Sequence, residues 1–258
     1  MNRFKVCILI AVLIGQAALA RVKFELPESG ITMAFESVEK STKISRIFDP
    51  GMSKNNIAQQ EKIFGAEYLP LTANMGFKFK SNAGETIATV EQDNRGVAIT
   101  YDAPNFTYKQ SLFKTDKGIY LTRTETSAFI FFGNDISYPE PVLRIPFPLK
   151  AGDSWQWEGL ETEDEDTTRL TIRGKALGEE IIETSGGKFS CLRIELEVSS
   201  ENGSQNKVNE WFAPGIGLVK SHAKMEGSGI TYILQKMLGL NEITFELEAY
   251  GDLASLED

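Results

Sequence analysis

The sequence predicts a mainly β protein with an antiparallel curved sheet, as a sandwich or a half-barrel, and with one or two short helices. Between residues 66 and 250, apolar and polar residues alternate over short runs. Clusters of Gly, Asn, Asp and Pro separate these runs about every 8 to 12 residues. Helical periodicity is absent from most of this stretch. Together these features are typical of antiparallel strands that share one core.

The strands are predicted one by one from this alternation, and each is bounded by a turn signal. In the first half they fall at 77–79, 86–92, 97–101, 106–113 and 119–126. In the second half they fall at 154–157, 167–174, 178–184, 188–199, 207–212, 217–224 and 243–250. A helix is predicted over 55–64, after a capping serine at Ser53. Residues 231–239 fit either a short helix or a strand.

Two segments resemble each other and predict two related halves. Tyr68-Leu69-Pro70-Leu71 precedes Gly76-Phe77-Lys78-Phe79, and Phe147-Pro148-Leu149 precedes a Gly-Asp-Ser-Trp-Gln-Trp run at 152–157. In each copy Pro ends the incoming segment, Gly permits a turn, and aromatic residues at alternate positions face one core. We therefore expect an N-terminal segment at 21–65, β halves at 66–140 and 141–250, and an acidic tail at 251–258.

The first twenty residues predict export. Arg3 and Lys5 precede an apolar stretch from Val6 to Ile14, and Ala18 and Ala20 fit a signal-peptide cleavage site. The stretch is too short to span a bilayer, and we expect no transmembrane segment in the mature chain. The predicted location is periplasmic or extracellular. Loss of residues 1–20 moves the net charge from −9 to −11, which argues against nucleic acid and anionic membranes as partners.

The residues that most often carry chemistry are scarce in this chain. After cleavage Cys191 is the only cysteine, so an intramolecular disulfide is excluded, and we expect it to be a half-buried strand residue. His222 is the only histidine and is expected on the solvent face of a strand. One Cys and one His do not make a zinc site. The sequence predicts no catalytic residue, no metal site and no cofactor.

Acidic residues are densest between Glu158 and Asp166, where we expect a solvated hairpin loop. Oxygen ligands suit calcium, but the spacing does not match the D-x-[DN]-x-[DN]-G loop. Glycoside hydrolysis would need two carboxylates that face each other across a cleft, and the sequence selects no such pair.

Six aromatic residues at strand starts or ends either fill a core or line a cavity for an apolar ligand. They are Phe77, Phe79, Trp155, Trp157, Trp211 and Phe212. The cavity reading predicts a non-enzymatic envelope protein that binds a lipid or another apolar or amphipathic ligand. One alternative is a structural or protein-interaction module with an envelope protein partner and no small-molecule ligand. A second alternative is a hydrolase acting on glycans.

The stretch W-F-A-P-G-I-G-L-V-K at 211–220 is the most distinctive motif of the chain. It resembles a signature of TapB-like and related bacterial envelope proteins of unknown function. The same order of motifs includes P-L-x-x-G-x-x-W at 148–155 and F-x-C-x-x-I at 189–194. The resemblance covers about residues 141–250. It implies an antiparallel sheet that curves around a helix or cavity, as in the half-barrels of periplasmic lipoprotein carriers.

Overall fold

The protein forms a closed barrel of twelve antiparallel strands. The computed structural model describes residues 62–94, 96–104, 106–128, 132–226 and 241–255. The strands are β1 (Ile63–Phe64), β2 (Met75–Ser81), β3 (Thr86–Asp93), β4 (Gly96–Ala103), β5 (Phe106–Thr115), β6 (Gly118–Ala128), β7 (Phe132–Pro146), β8 (Leu149–Lys150), β9 (Ser154–Glu163), β10 (Asp166–Thr184), β11 (Gly187–Ser200), β12 (Gln205–Ala213), β13 (Gly217–Glu226) and β14 (Glu242–Asp252). Two 3-10 turns, Ala66–Tyr68 and Leu253–Ser255, are the only helical elements in these ranges.

Most neighbours in the barrel are consecutive in the chain, because short turns join antiparallel strands directly. The order around the barrel is β2 to β7, then β9 to β14, and β14 pairs with β2 to close it. The short strands β1 and β8 pair with each other outside this order, through Ile63 opposite Lys150 and Phe64 opposite Leu149. β1 precedes the first copy of the repeated motif, and β8 lies within the second copy.

The predicted mainly antiparallel β class is confirmed, and the sheet closes completely. Two details of the prediction are wrong. The strands predicted at 167–174 and 178–184 are one strand, β10, with a bulge between Ala176 and Gly178. Gly178 adopts a φ of 110° there, so the strand bends without ending.

The predicted helix at 55–64 extends into the described residues only at its end, and there Ile63–Phe64 is strand β1. The predicted signal peptide at 1–20, residues 21–61 and the segment 231–239 lie outside the described residues. The division into halves at 140/141 remains a prediction, and that boundary falls inside β7. Among the described residues no helix combines the length and apolarity needed to cross a membrane.

Two tryptophans fill the barrel interior by lying over glycines. A Cβ atom at Gly174 would lie 2.2 Å from the indole of Trp155. A Cβ at Gly159 would lie 2.3 Å from the indole of Trp157. Both tryptophans are at most 5% exposed. Each indole therefore occupies the space that a side chain on β9 or β10 would otherwise take.

We expect Gly174→Ala to destabilise the barrel by about 1–3 kcal/mol, because the new methyl group forces Trp155 out of its packed position. Urea unfolding followed by circular dichroism measures this change. The same substitution in a Trp155→Leu background should cost much less, since the indole is gone. An equal cost in both backgrounds would contradict the packing explanation.

A buried ion pair crosses the interior of the barrel. The Nη2 atom of Arg144 on β7 donates to both carboxylate oxygens of Glu210 on β12, at 2.5 and 2.6 Å. The two side chains are 5% and 0% exposed. β7 and β12 are not neighbours in the sheet, so the pair joins separate parts of the wall. Burial raises the pKa of Glu210, and the charge of Arg144 opposes that rise.

We expect Arg144→Met to destabilise the protein by about 3–5 kcal/mol, because Glu210 is left as a buried carboxyl without its partner. The double variant Arg144→Met/Glu210→Leu should recover most of this loss. Lys207→Met, which breaks an exposed pair with Glu195, should change the free energy of unfolding by less than about 1 kcal/mol. Chemical denaturation of the four proteins tests the prediction, and a double variant as unstable as Arg144→Met would contradict it.

Candidate functional site

A ten-residue segment, which we call the strap (residues 65–74), packs against one end of the barrel. That end contains the start of β2, the end of β3 and the turn that joins β12 to β13. The amide of Gly215 donates to the carbonyl of Glu67 at 2.7 Å, and the amide of Asn74 donates to the carbonyl of Val90 at 2.8 Å. The strap is thus attached to the β12–β13 turn near its beginning and to β3 at its end.

An apolar cavity of about 90 Å³ lies between the strap and the barrel, and it is partly open. None of the described residues that line it is charged. Strand and turn residues form most of its wall, and the strap contributes Leu69 to Thr72. Its apolar side chains include Leu71, Met75, Phe77, Phe79, Ile216 and Leu218. Such a surface excludes ions and suits a hydrocarbon group.

The structure places only two of the six predicted aromatic residues at this cavity. Phe77 and Phe79 line it, with their rings stacked at a centroid distance of 6.3 Å. Trp155 and Trp157 fill the interior over glycines, as described above. Phe212 is a buried core residue at 2% exposure.

Trp211 lies on the outer side of the sheet, in contact with charged residues. Its indole N–H donates to Glu180 at 2.9 Å. The guanidinium of Arg193 lies 5.2 Å and the ammonium of Lys220 5.9 Å from the ring centre. These contacts shield the indole from water and fix its orientation.

The sequence pattern did not identify Leu71, Met75, Ile216 or Leu218 as cavity residues. Ile216 and Leu218 belong to the W-F-A-P-G-I-G-L-V-K stretch, where the sequence predicts the end of one strand, a turn and the start of the next. Leu71 and Met75 precede the first clear alternation. The only signal for these cavity residues was the presence of apolar residues around Pro70 and around Pro214. Nothing in the sequence shows that these two segments lie together in the fold.

Two carboxyl groups of the acidic run differ from the expected solvated loop. β9 continues to Glu163, and its alternation turns Glu161 inward to 3% exposure and leaves Glu163 partly buried. Burial, and secondarily the charge of Glu163, raises the pKa of Glu161 to about 8. Burial also raises the pKa of Glu163. Only Asp164 and Glu165 lie in the turn itself.

This pair does not have the geometry of a glycosidase. Glu161 and Glu163 lie on the same face of one strand, whereas the two carboxylates of a glycosidase face each other across the scissile bond. In the described part of the chain no group of three or more His, Cys, Asp and Glu residues is arranged to hold a metal ion.

The remaining reactive residues lie away from the cavity. His222 is on β13, and its Nε2 atom lies 2.6 Å from Glu242 on the next strand, with both side chains substantially exposed. Cys191 is completely buried on β11, not half-buried as predicted. Burial raises the pKa of its thiol to about 12, so the thiolate that would react is scarce at neutral pH.

We expect stability to fall as pH rises from 5 to 8, because Glu161 keeps its proton in the folded state up to about pH 8. The unfolded chain releases that proton near pH 4.5, so the folded state binds more protons between these values. The contribution lost across this window is about 3 kcal/mol. Urea unfolding at pH 5 and pH 8 measures it.

Glu161→Gln should remove that part of the pH dependence. Glu158→Gln, on the exposed side of the same strand, serves as the matched control and should behave like the wild type. Parallel pH profiles for the wild type and Glu161→Gln would refute the explanation.

Comparisons with known proteins give a family and three solved structures. The hypothetical lipoprotein YmcC from Escherichia coli is 14% identical, with 70% of this chain and 88% of that chain covered and a TM-score of 0.40. A proposed lipoprotein from Parabacteroides distasonis is 12% identical, with 71% and 98% covered and a TM-score of 0.34. A proposed exported protein with a YmcC-like fold from Bacteroides fragilis is 13% identical, with 70% and 96% covered and a TM-score of 0.33.

The search of curated proteins gives no match. The family model described as DUF3108-like matches residues 79–226, from the second half of β2 to the end of β13. This match spans more than half of the sequence, and the chain therefore belongs to the DUF3108-like family.

Proposed function

We propose that this protein is a non-enzymatic protein of the bacterial envelope and that it binds the apolar part of an amphipathic ligand in the strap-end cavity. The observation that carries the proposal is the cavity itself, which is partly open and has no charged residue among the described residues of its wall. Phe77 and Phe79 provide aromatic surface at its wall. Burial of hydrocarbon against such a wall contributes about 0.8 kcal/mol per methylene.

The N-terminal signal pattern supports export, since Arg3, Lys5 and the apolar stretch from Val6 to Ile14 match a secretory signal. The resemblance to TapB-like envelope proteins points to the same compartment. In that compartment, lipid acyl chains are the abundant hydrocarbon groups attached to polar heads. A lipid is therefore the ligand that the proposal names, with its chain in the cavity and its head in solvent.

We expect the protein purified from the periplasm of an expressing bacterium to carry lipid, detected as added mass by native mass spectrometry and identified after solvent extraction. Ile216→Trp should abolish the added mass, because the larger side chain fills the cavity that Ile216 lines. Ile181→Trp makes the same change at an outer position that is 61% exposed and should leave the bound lipid unchanged.

A clean apo mass for the wild type would refute the ligand proposal. Equal lipid content in both tryptophan variants would refute the cavity as the binding site. A circular dichroism spectrum of each variant checks that the barrel has folded.

Exposed apolar residues favour protein interaction as a second candidate function. Ile63 on β1 is 57% exposed and Ile181 on β10 is 61% exposed. The two segments are joined by an ion pair between Lys62 and Glu179. Substitution of both isoleucines by lysine should abolish the binding of an envelope protein that docks on this outer side. Affinity capture from envelope extracts, with the wild type and with the double variant, measures this loss.

A further inference from the structure

We infer that Leu71 determines how much of a hydrocarbon chain the cavity accepts, so that this one residue of the strap sets the acyl-chain length that the protein prefers. The inference rests on the proposed function, because it concerns the same cavity. It names the ligand class, an unbranched acyl chain, and the residue that limits it.

Leu71 combines an unusual backbone conformation with a position in the cavity wall. Its φ is 53°, in the left-handed region, and its side chain lines the cavity. A bulky residue is rarely found there, because its Cβ crowds the following carbonyl oxygen. Such strain persists only where the surrounding structure holds it in place.

A second residue of the strap shows which residue type a left-handed backbone favours when no cavity has to be filled. Asn74 also has a left-handed φ, of 66°, and it is not among the residues that line the cavity. Asn is one of the residues that tolerate this conformation. The strap thus has a tolerant residue at the left-handed position away from the cavity and a leucine at the left-handed position that faces it. The leucine side chain is explained by the cavity and not by the turn.

Size indicates what the leucine excludes. The cavity measures about 90 Å³, while a protein cavity of about 150 Å³ accommodates benzene. With Leu71 in place there is room for only the last few carbons of a chain. Removal of its four side-chain carbons extends the same apolar space toward the strap. Longer chains then bury more methylenes, and each buried methylene strengthens binding by roughly fourfold.

The hydrogen bonds of the strap allow this change without loss of the fold. Lys114 Nζ donates to the carbonyl of Pro70 at 3.4 Å, and the amide of Leu253 donates to the carbonyl of Asn74 at 3.0 Å. With the bond from Gly215 to Glu67, these contacts lie on either side of Leu71 and involve backbone oxygens of other residues. A substitution at Leu71 leaves all of them available.

The test compares Leu71→Gly with Asn74→Gly in the full-length chain. Glycine adopts a left-handed φ without steric cost, so neither substitution strains the backbone of the strap. Isothermal titration with decanoate and hexadecanoate, each below its micelle concentration, gives the ratio of the two dissociation constants for each protein. We expect Leu71→Gly to shift that ratio about tenfold toward hexadecanoate, and Asn74→Gly to keep the wild-type ratio.

Each outcome decides between the inference and the function on which it rests. If the wild type binds and both variants keep its ratio, the role of Leu71 is refuted and the proposed function stands. If neither acid binds the wild type or the variants, the proposed function fails and the inference fails with it. If Leu71→Gly does not fold, Leu71→Ala removes three of the same carbons, and an unchanged ratio in that variant refutes the inference equally.

Discussion

The main physical constraint on this structure is that the charges of Arg144 and Glu210, buried on two non-adjacent strands inside a closed sheet, must stay paired with each other. Charges inside an apolar interior are stable only when they are paired and hydrogen-bonded. Both carboxylate oxygens of Glu210 accept hydrogen bonds from Arg144, so β7 and β12 must lie at the distance that this contact imposes. β12 leads directly into the turn whose Gly215 amide binds the strap, so the ion pair and the cavity share one strand and its turn.

Tyr101 connects the ion pair to the cavity. Its ring packs against Phe79, Tyr108 and Phe245 at centroid distances of 6.0 to 6.4 Å. Burial, and next the charge of Glu210, raise the pKa of its hydroxyl, while the charge of Arg144 opposes the rise. Tyr101 also lines the cavity. Tyr101 therefore belongs to an aromatic cluster of the interior, responds to the charges of the buried pair and lines the cavity.

The strands could be predicted from the sequence because alternation of apolar and polar residues is a local signal. The closed barrel could not be predicted, because closure depends on pairing between strands that are far apart in the chain. Nothing near β14 indicates that it pairs with β2, more than 160 residues earlier in the chain. β7 was not predicted as a strand. It contains Pro139 and Pro141, which lack the amide donor that a central strand needs, and such residues argue against a strand. The register with β6 jumps from Leu121 opposite Val142 to Arg123 opposite Ser137, so the intervening segment leaves the ladder and the prolines are accommodated.

The candidate site was predictable only in part, for a similar reason. Phe77 and Phe79 follow from the repeated motif, because aromatic residues at alternate positions share a face. Leu71 has no comparable signal, since a leucine with a left-handed backbone looks like any other leucine in a sequence. Glu161 was assigned to a loop because five of its neighbours are acidic, and its burial depends on β9 continuing through them.

The W-F-A-P-G-I-G-L-V-K stretch, with Glu210 before it, shows how one segment supplies several of these functions. Glu210 and Phe212 point into the barrel, one to Arg144 and the other to the core. Trp211 points outward to Glu180 and its cationic neighbours. The turn that follows accepts the strap through the amide of Gly215.

Past the turn, Ile216 and Leu218 enter the cavity wall. Alternation of side-chain direction along β12 and β13 thus joins the buried charge, the outer surface and the apolar site within about ten residues. A change of register in this hairpin would displace all three together, so the structural roles of this segment constrain its sequence at nearly every position.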